Sequence, residues 1–161
     1  MIALRTSNAG TAGASGKLIF SSGTTSSGNS GAVYLGTGTA TNGKGGLISV
    51  TAGTGDVGDG GVINVLAGST SAATSVGGTI SVVSGSSTGA TAGKGGSLFA
   101  AAGVGASVSG GSIAMNSGEG TASTSGSLKI RTANAGTNGA SGMLVFSSGT
   151  ASKGNSGMVM I

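Results

Sequence analysis

The chain has 161 residues, 37 of them glycine, with no proline, cysteine, histidine or tryptophan, and seven Lys and Arg against three acids leave a net charge of +4. Without Cys or His, disulfides, zinc sites, haem ligation and thiol catalysis are excluded. Without proline, so is collagen. The cations are scattered and Tyr34 is the only tyrosine, so the basic stripe with stacking aromatics that suits nucleic acid is missing.

One short phrase recurs about every 15 residues along the chain, the signature of a stacked repeat. In chain order it reads Lys17-Leu18-Ile19-Phe20, Ala32-Val33-Tyr34-Leu35, Leu47-Ile48-Ser49-Val50 and Val62-Ile63-Asn64-Val65. Thr79-Ile80-Ser81-Val82, Ser97-Leu98-Phe99-Ala100, Ser112-Ile113-Ala114-Met115, Ser127-Leu128-Lys129-Ile130 and Met143-Leu144-Val145-Phe146 follow. The chain breaks off in the same pattern at Met158-Val159-Met160-Ile161.

Within each phrase two apolar residues stand two apart, which is a strand signal because alternate side chains share a face. The inward column is then Leu18/Phe20, Val33/Leu35, Ile48/Val50, Ile63/Val65, Ile80/Val82, Leu98/Ala100, Ile113/Met115, Leu128/Ile130 and Leu144/Phe146. Glycine pairs such as Gly45-Gly46, Gly60-Gly61 and Gly110-Gly111 precede the phrases and read as corners. A helix is disfavoured, because each glycine costs about 1 kcal/mol against alanine in a helical site.

These features predict an all-β fold, a β-solenoid of about 15-residue coils, with about ten coils forming one array over 1–161. Each coil would hold a second, small-residue strand such as Thr121-Ala122-Ser123 or Thr150-Ala151-Ser152. A repetitive β-hairpin or β-sandwich fibre is the alternative. Two units are longer, Val62 to Gly78 and Thr79 to Gly96, and their extra residues are expected in turns.

A second period lies above the first. Arg5-Thr6-Ser7-Asn8-Ala9-Gly10-Thr11 returns as Arg131-Thr132-Ala133-Asn134-Ala135-Gly136-Thr137, and Gly28-Asn29-Ser30-Gly31 returns as Gly154-Asn155-Ser156-Gly157. The offset is about 126 residues, or roughly eight units. No polar capping repeat or signal peptide is visible, since Met1-Ile2-Ala3-Leu4-Arg5 enters the repeat at once. The expectation is a segment of a longer chain, or a unit that polymerises through uncapped ends. The longest weakly polar stretch, Leu98 to Ala106, is broken by glycine and far short of the roughly 20 residues of a membrane span.

Several outward positions are apolar as well. Ile19, Tyr34, Leu47, Val62, Leu66, Phe99, Met143, Val145 and Met160, with Val83 and Met158, are the candidate self-association residues, because exposed apolar surface marks interfaces.

Candidate chemistry is thin. Gly53-Thr54-Gly55-Asp56-Val57-Gly58 matches G-x-G-x-x-G, but the next segment is a phrase and not the helix that dinucleotide binding requires. Asp56 and Asp59 are similar to one copy of a calcium nonapeptide, yet neighbouring units place Lys44 and Lys94 at their turns. General acid–base work would rest on Asp56, Asp59 and Glu119 alone. Thr37, Thr39 and Thr41 begin an ice-binding type of array that Ser49/Thr51, Asn64/Leu66 and Ser81/Val83 do not continue. No enzyme, cofactor or metal site is expected.

Ser26-Ser27-Gly28-Asn29-Ser30-Gly31-Ala32-Val33 and Asn42-Gly43-Lys44-Gly45-Gly46-Leu47-Ile48-Ser49-Val50 resemble the Gly/Ser/Thr/Ala-rich tandem repeats of algal and protist surface proteins. More loosely they resemble the β-solenoids of bacterial adhesins and the shafts of viral fibres. The resemblance covers the whole chain and implies an extracellular or cell-surface fibrous role, with copies of the chain itself as partners. An adhesin stalk, or a solenoid binding ice or surface glycan, is the alternative.

Overall fold

The apolar phrases are followed by loops rich in Gly, Ser, Thr and Ala that return the backbone close to where the phrase ended. The computed structural model describes residues 2–11, 13–89 and 92–161. Met1, Ala12, Ala90 and Thr91 lie outside them, the last two within the longer Thr79–Gly96 unit. The chain divides into two units, Met1–Ser81 and Val82–Ile161.

In the first unit the loops are closed by Gly61 N–H donating to the Gly53 carbonyl at 2.9 Å and Gly78 N–H donating to the Gly68 carbonyl at 2.8 Å. The second unit repeats the device: Gly96 N–H to the Gly85 carbonyl at 2.8 Å, then Gly111 to Gly103 and Gly126 to Gly118, each at 2.9 Å. The loops closed at Gly78 and Gly96 are the longer ones, so the extra residues of those two units lie inside the loops. Threonine supplies another closure, with Thr6 Oγ1 donating to the Gly16 carbonyl at 3.1 Å and Thr37 Oγ1 to the Gly46 carbonyl at 3.4 Å.

A second regularity sits at the same places. The glycine just before each phrase faces the small residue four positions after the first inward-column residue of the preceding phrase. A Cβ built on Gly46 would lie 2.9 Å from Thr37 Cγ2, and one on Gly61 would lie 2.9 Å from Ala52 Cβ. Gly78 faces Ala67, Gly111 faces Ala102, Gly126 faces Ser117 and Gly142 faces Thr132 in the same way. At Gly46 and Gly61 the approach is under 3.0 Å, which a real Cβ does not fit, so glycine is required there; at the other four it is looser and a Cβ would need a small shift of its neighbour. Four of these facing residues, Thr6, Thr132, Ser22 against Gly31 and Ser84 against Gly96, are half-buried, as are Gly105 and Gly120 in the loops, while the other described residues are exposed.

The structure corrects the expected fold. Among the described residues there is no helix and no strand, hence neither a β-solenoid nor a hairpin or sandwich fibre. A solenoid needs backbone bonds from each phrase to the next, one unit away. The loop-closing bonds instead stay inside a unit, between a phrase's glycine tail and the glycine before the next phrase. Small residues let the backbone meet itself at short range, and this local closure costs less loop entropy than pairing across a whole unit. The expected second strands are also absent. Thr121-Ala122-Ser123 is a bend, and the chain bends again at Ser152.

Among the described residues none is buried. The accessible surface is 15736 Å², whereas a compact protein of this mass exposes about 6,900 Å². The alternation of the phrases survives only as a modulation of exposure. Ile48 is 48% exposed against 86% for its neighbour Leu47, and Ile80 is 50% against 85% for Val83.

Candidate self-association surface

The phrases carry most of the large apolar side chains, with Val57, Leu66, Val76, Val104 and Val108 in the loops. Ile19, Tyr34, Leu47, Val62, Leu66, Phe99, Met143, Val145 and Met160 are all exposed. So are the residues expected inside, among them Phe20, Val50, Leu98 and Phe146. Most outward candidates are the more exposed of the two sets, but neither set is buried.

One groove gathers side chains. Phe20, Val33, Tyr34 and Leu35 line a mostly apolar recess of about 380 Å³. Three of these residues belong to the inward column of the sequence reading and Tyr34 to the outward set, so two successive phrases turn both kinds of position into one surface. Tyr34 is 94% exposed, standing at the groove's edge with little of its ring covered. Among the described residues, the other self-association candidates are not drawn into this groove.

A second recess, of about 290 Å³, is polar and lined by Arg5, Thr6, Ser7 and Asn8. Thr6 is held there by its bond to Gly16, which places the recess directly on a clasp. Its residues are those that the long period repeats as Arg131, Thr132, Ala133 and Asn134.

The remaining candidates sit in loops. Asp56 opens the bend at 56–58, and Gly58 turns it with φ +104°. Asp59 follows, and its carbonyl would stand 2.9 Å from a Cβ on Gly55. Asp56, Asp59 and Glu119 are exposed. Among the described residues no group of three or more Asp, Glu, His or Cys gathers as metal ligands would. Nor is any helix long and apolar enough to cross a membrane.

The clasp residues are what sequence reasoning missed. Their signal was present: a small residue at a constant four positions beyond the first inward-column residue of each phrase, as in Ile48 to Ala52 and Ile63 to Ala67, always followed by a glycine before the next phrase. No protein-family model matches the chain, and neither a curated protein nor a solved structure is similar to it.

Proposed function

We propose that the chain is a structural, non-catalytic segment that assembles with copies of itself into an extracellular filament or fibre. The observation that carries this reading is surface. The chain exposes about 8,800 Å² more than a compact protein of its mass would. A standard protein–protein contact covers only about 800 Å² per partner. A single dimer contact therefore leaves most of the excess open, whereas several neighbours on all sides cover it. The phrases supply the apolar part of that surface at regular intervals, and large exposed apolar surface is a docking feature. The extracellular setting rests on the resemblance to Gly/Ser/Thr/Ala-rich surface repeats.

Sedimentation velocity across a concentration series, with negative-stain imaging of the same samples, tests this. Filaments or large assemblies that grow with concentration are expected. Leu47→Lys with Leu66→Lys places two charges on neighbouring exposed phrases and should thin or disperse the assemblies. A chain that stays monomeric at high concentration would overturn the proposal and leave a spacer in its place.

A further inference from the structure

The tripeptide Thr-Asn-Gly occurs twice, at Thr41-Asn42-Gly43 and Thr137-Asn138-Gly139. Both asparagines stand six residues before the first inward-column residue of the next phrase, Ile48 and Leu144. Both tripeptides are exposed. They differ in one respect. Gly139 N–H donates to the Gly136 carbonyl at 3.3 Å, closing a turn through Thr137 and Asn138. Gly43 N–H makes no hydrogen bond among the described residues, and its segment is only a bend.

We infer that Asn42 is a site of spontaneous backbone modification, and that the turn protects Asn138 from the same reaction. The Gly43 backbone nitrogen loses its proton to solvent base and attacks Asn42 Cγ. The Cγ–Nδ2 bond breaks, and ammonia carries the nitrogen away. The resulting five-membered imide is opened by water at either carbonyl. One opening leaves aspartate and the other leaves isoaspartate, whose main chain runs through the former side chain. Nothing is oxidised or reduced. Glycine is needed because a side chain on the attacking residue shields its nitrogen, which sets these two sites apart from Asn8, Asn29, Asn64, Asn116, Asn134 and Asn155. A hydrogen-bonded N–H is harder to deprotonate, and a closed turn holds it away from the asparagine's own side chain. The product places a new carboxylate two residues from Lys44 and lowers the net charge of the chain by one. Where it is isoaspartate, it also lengthens the backbone inside a loop whose closure depends on register.

The test is a time course of the purified chain at mildly alkaline pH, with peptide mapping by mass spectrometry that separates aspartate from isoaspartate. Asn42 is expected to convert several-fold faster than Asn138. In concentrated urea the two rates should converge, because the tripeptides are the same. Gly43→Ala should slow conversion at Asn42 to the level of the other asparagines and leave Asn138 unaffected. That variant fits the structure, since a Cβ on Gly43 meets only Ala40 Cβ at 3.9 Å. Equal rates in the native chain, a faster Asn138, or a difference that persists in urea would overturn the inference.

Discussion

Compare the phrase Leu47-Ile48-Ser49-Val50 with the clasp that follows it, Ala52 against Gly61. The phrase has the large apolar side chains, yet Leu47, Ile48 and Val50 are all exposed. The clasp has a methyl group and a hydrogen, yet the backbone comes together there, with Gly61 N–H bonded to the Gly53 carbonyl. Closure within one chain is thus carried by residues too small to contribute much burial. The residues able to contribute about 1.5–3 kcal/mol each on full burial are at best about half covered by their own chain. That division of labour is the physical ground for looking to neighbouring copies for the missing contacts.

The comparison breaks most visibly if the clasp is filled. Gly61→Val puts a branched side chain against the Ala52 methyl and the Gly53 backbone, where even a single Cβ would be too close. Overpacking of this kind costs about 1–3 kcal/mol. The Gly61 amide should lose its protection in hydrogen exchange while the exposure of the phrases stays the same. Gly60→Ala is the matched control, because a Cβ there meets nothing within 4 Å. It should leave the closure intact, or favour it slightly by restricting the open chain. If both variants behave alike, the close approach at Gly61 does not hold the loop.

A smaller effect is expected at the bend. Gly58 adopts φ +104°, outside the range that side chains favour, whereas Gly43, at the same place in its own loop, has no positive φ. Gly58→Ala should destabilise its loop by about 1 kcal/mol. Gly43→Ala should not. Chemical shifts of residues 53–61 and 37–46 would register the two cases separately, and equal responses would show that the bend does not depend on the left-handed glycine.

These contrasts also explain how far the sequence could be read. The unit length, the alternate apolar positions and the longer loops after Val65 and Val82 were all legible, because each is a spacing. What the phrases pair with was not. Ile48 and Val50 two apart predict a strand in search of a ladder, but a period cannot say whether the backbone closes on the next phrase or on its own tail. Here the tail wins. Glycine and alanine at the tail admit an approach that Leu or Ile would block, and the shorter loop is the less costly to close. The candidate surface was legible as a set of residues and not as a shape. Tyr34, read as outward, and Val33 and Leu35, read as inward, meet at one groove because no sheet keeps the two faces apart.

The finest comparison is between two threonine closures. Thr6 Oγ1 bonds the Gly16 carbonyl at 3.1 Å and Thr37 Oγ1 bonds the Gly46 carbonyl at 3.4 Å. Each threonine also packs its methyl on the same glycine, with Cγ2 at 3.1 Å from a Cβ built on Gly16 and 2.9 Å from one on Gly46. Replacing the hydroxyl by a methyl of similar shape separates the two contributions. A net hydrogen bond is worth about 0.5–1.5 kcal/mol, and exposed ones lie at the low end because water competes. Thr6→Val should therefore weaken its loop by about 0.5 kcal/mol, and Thr37→Val, whose bond is longer, by less. Thr6 is half-buried and Thr37 exposed, which points the same way. Amide exchange across residues 6–16 and 37–46 would rank them. If neither variant weakens its loop, the methyl contact rather than the hydroxyl holds these two loops closed, and they are clasps of the same kind as Ala52 on Gly61.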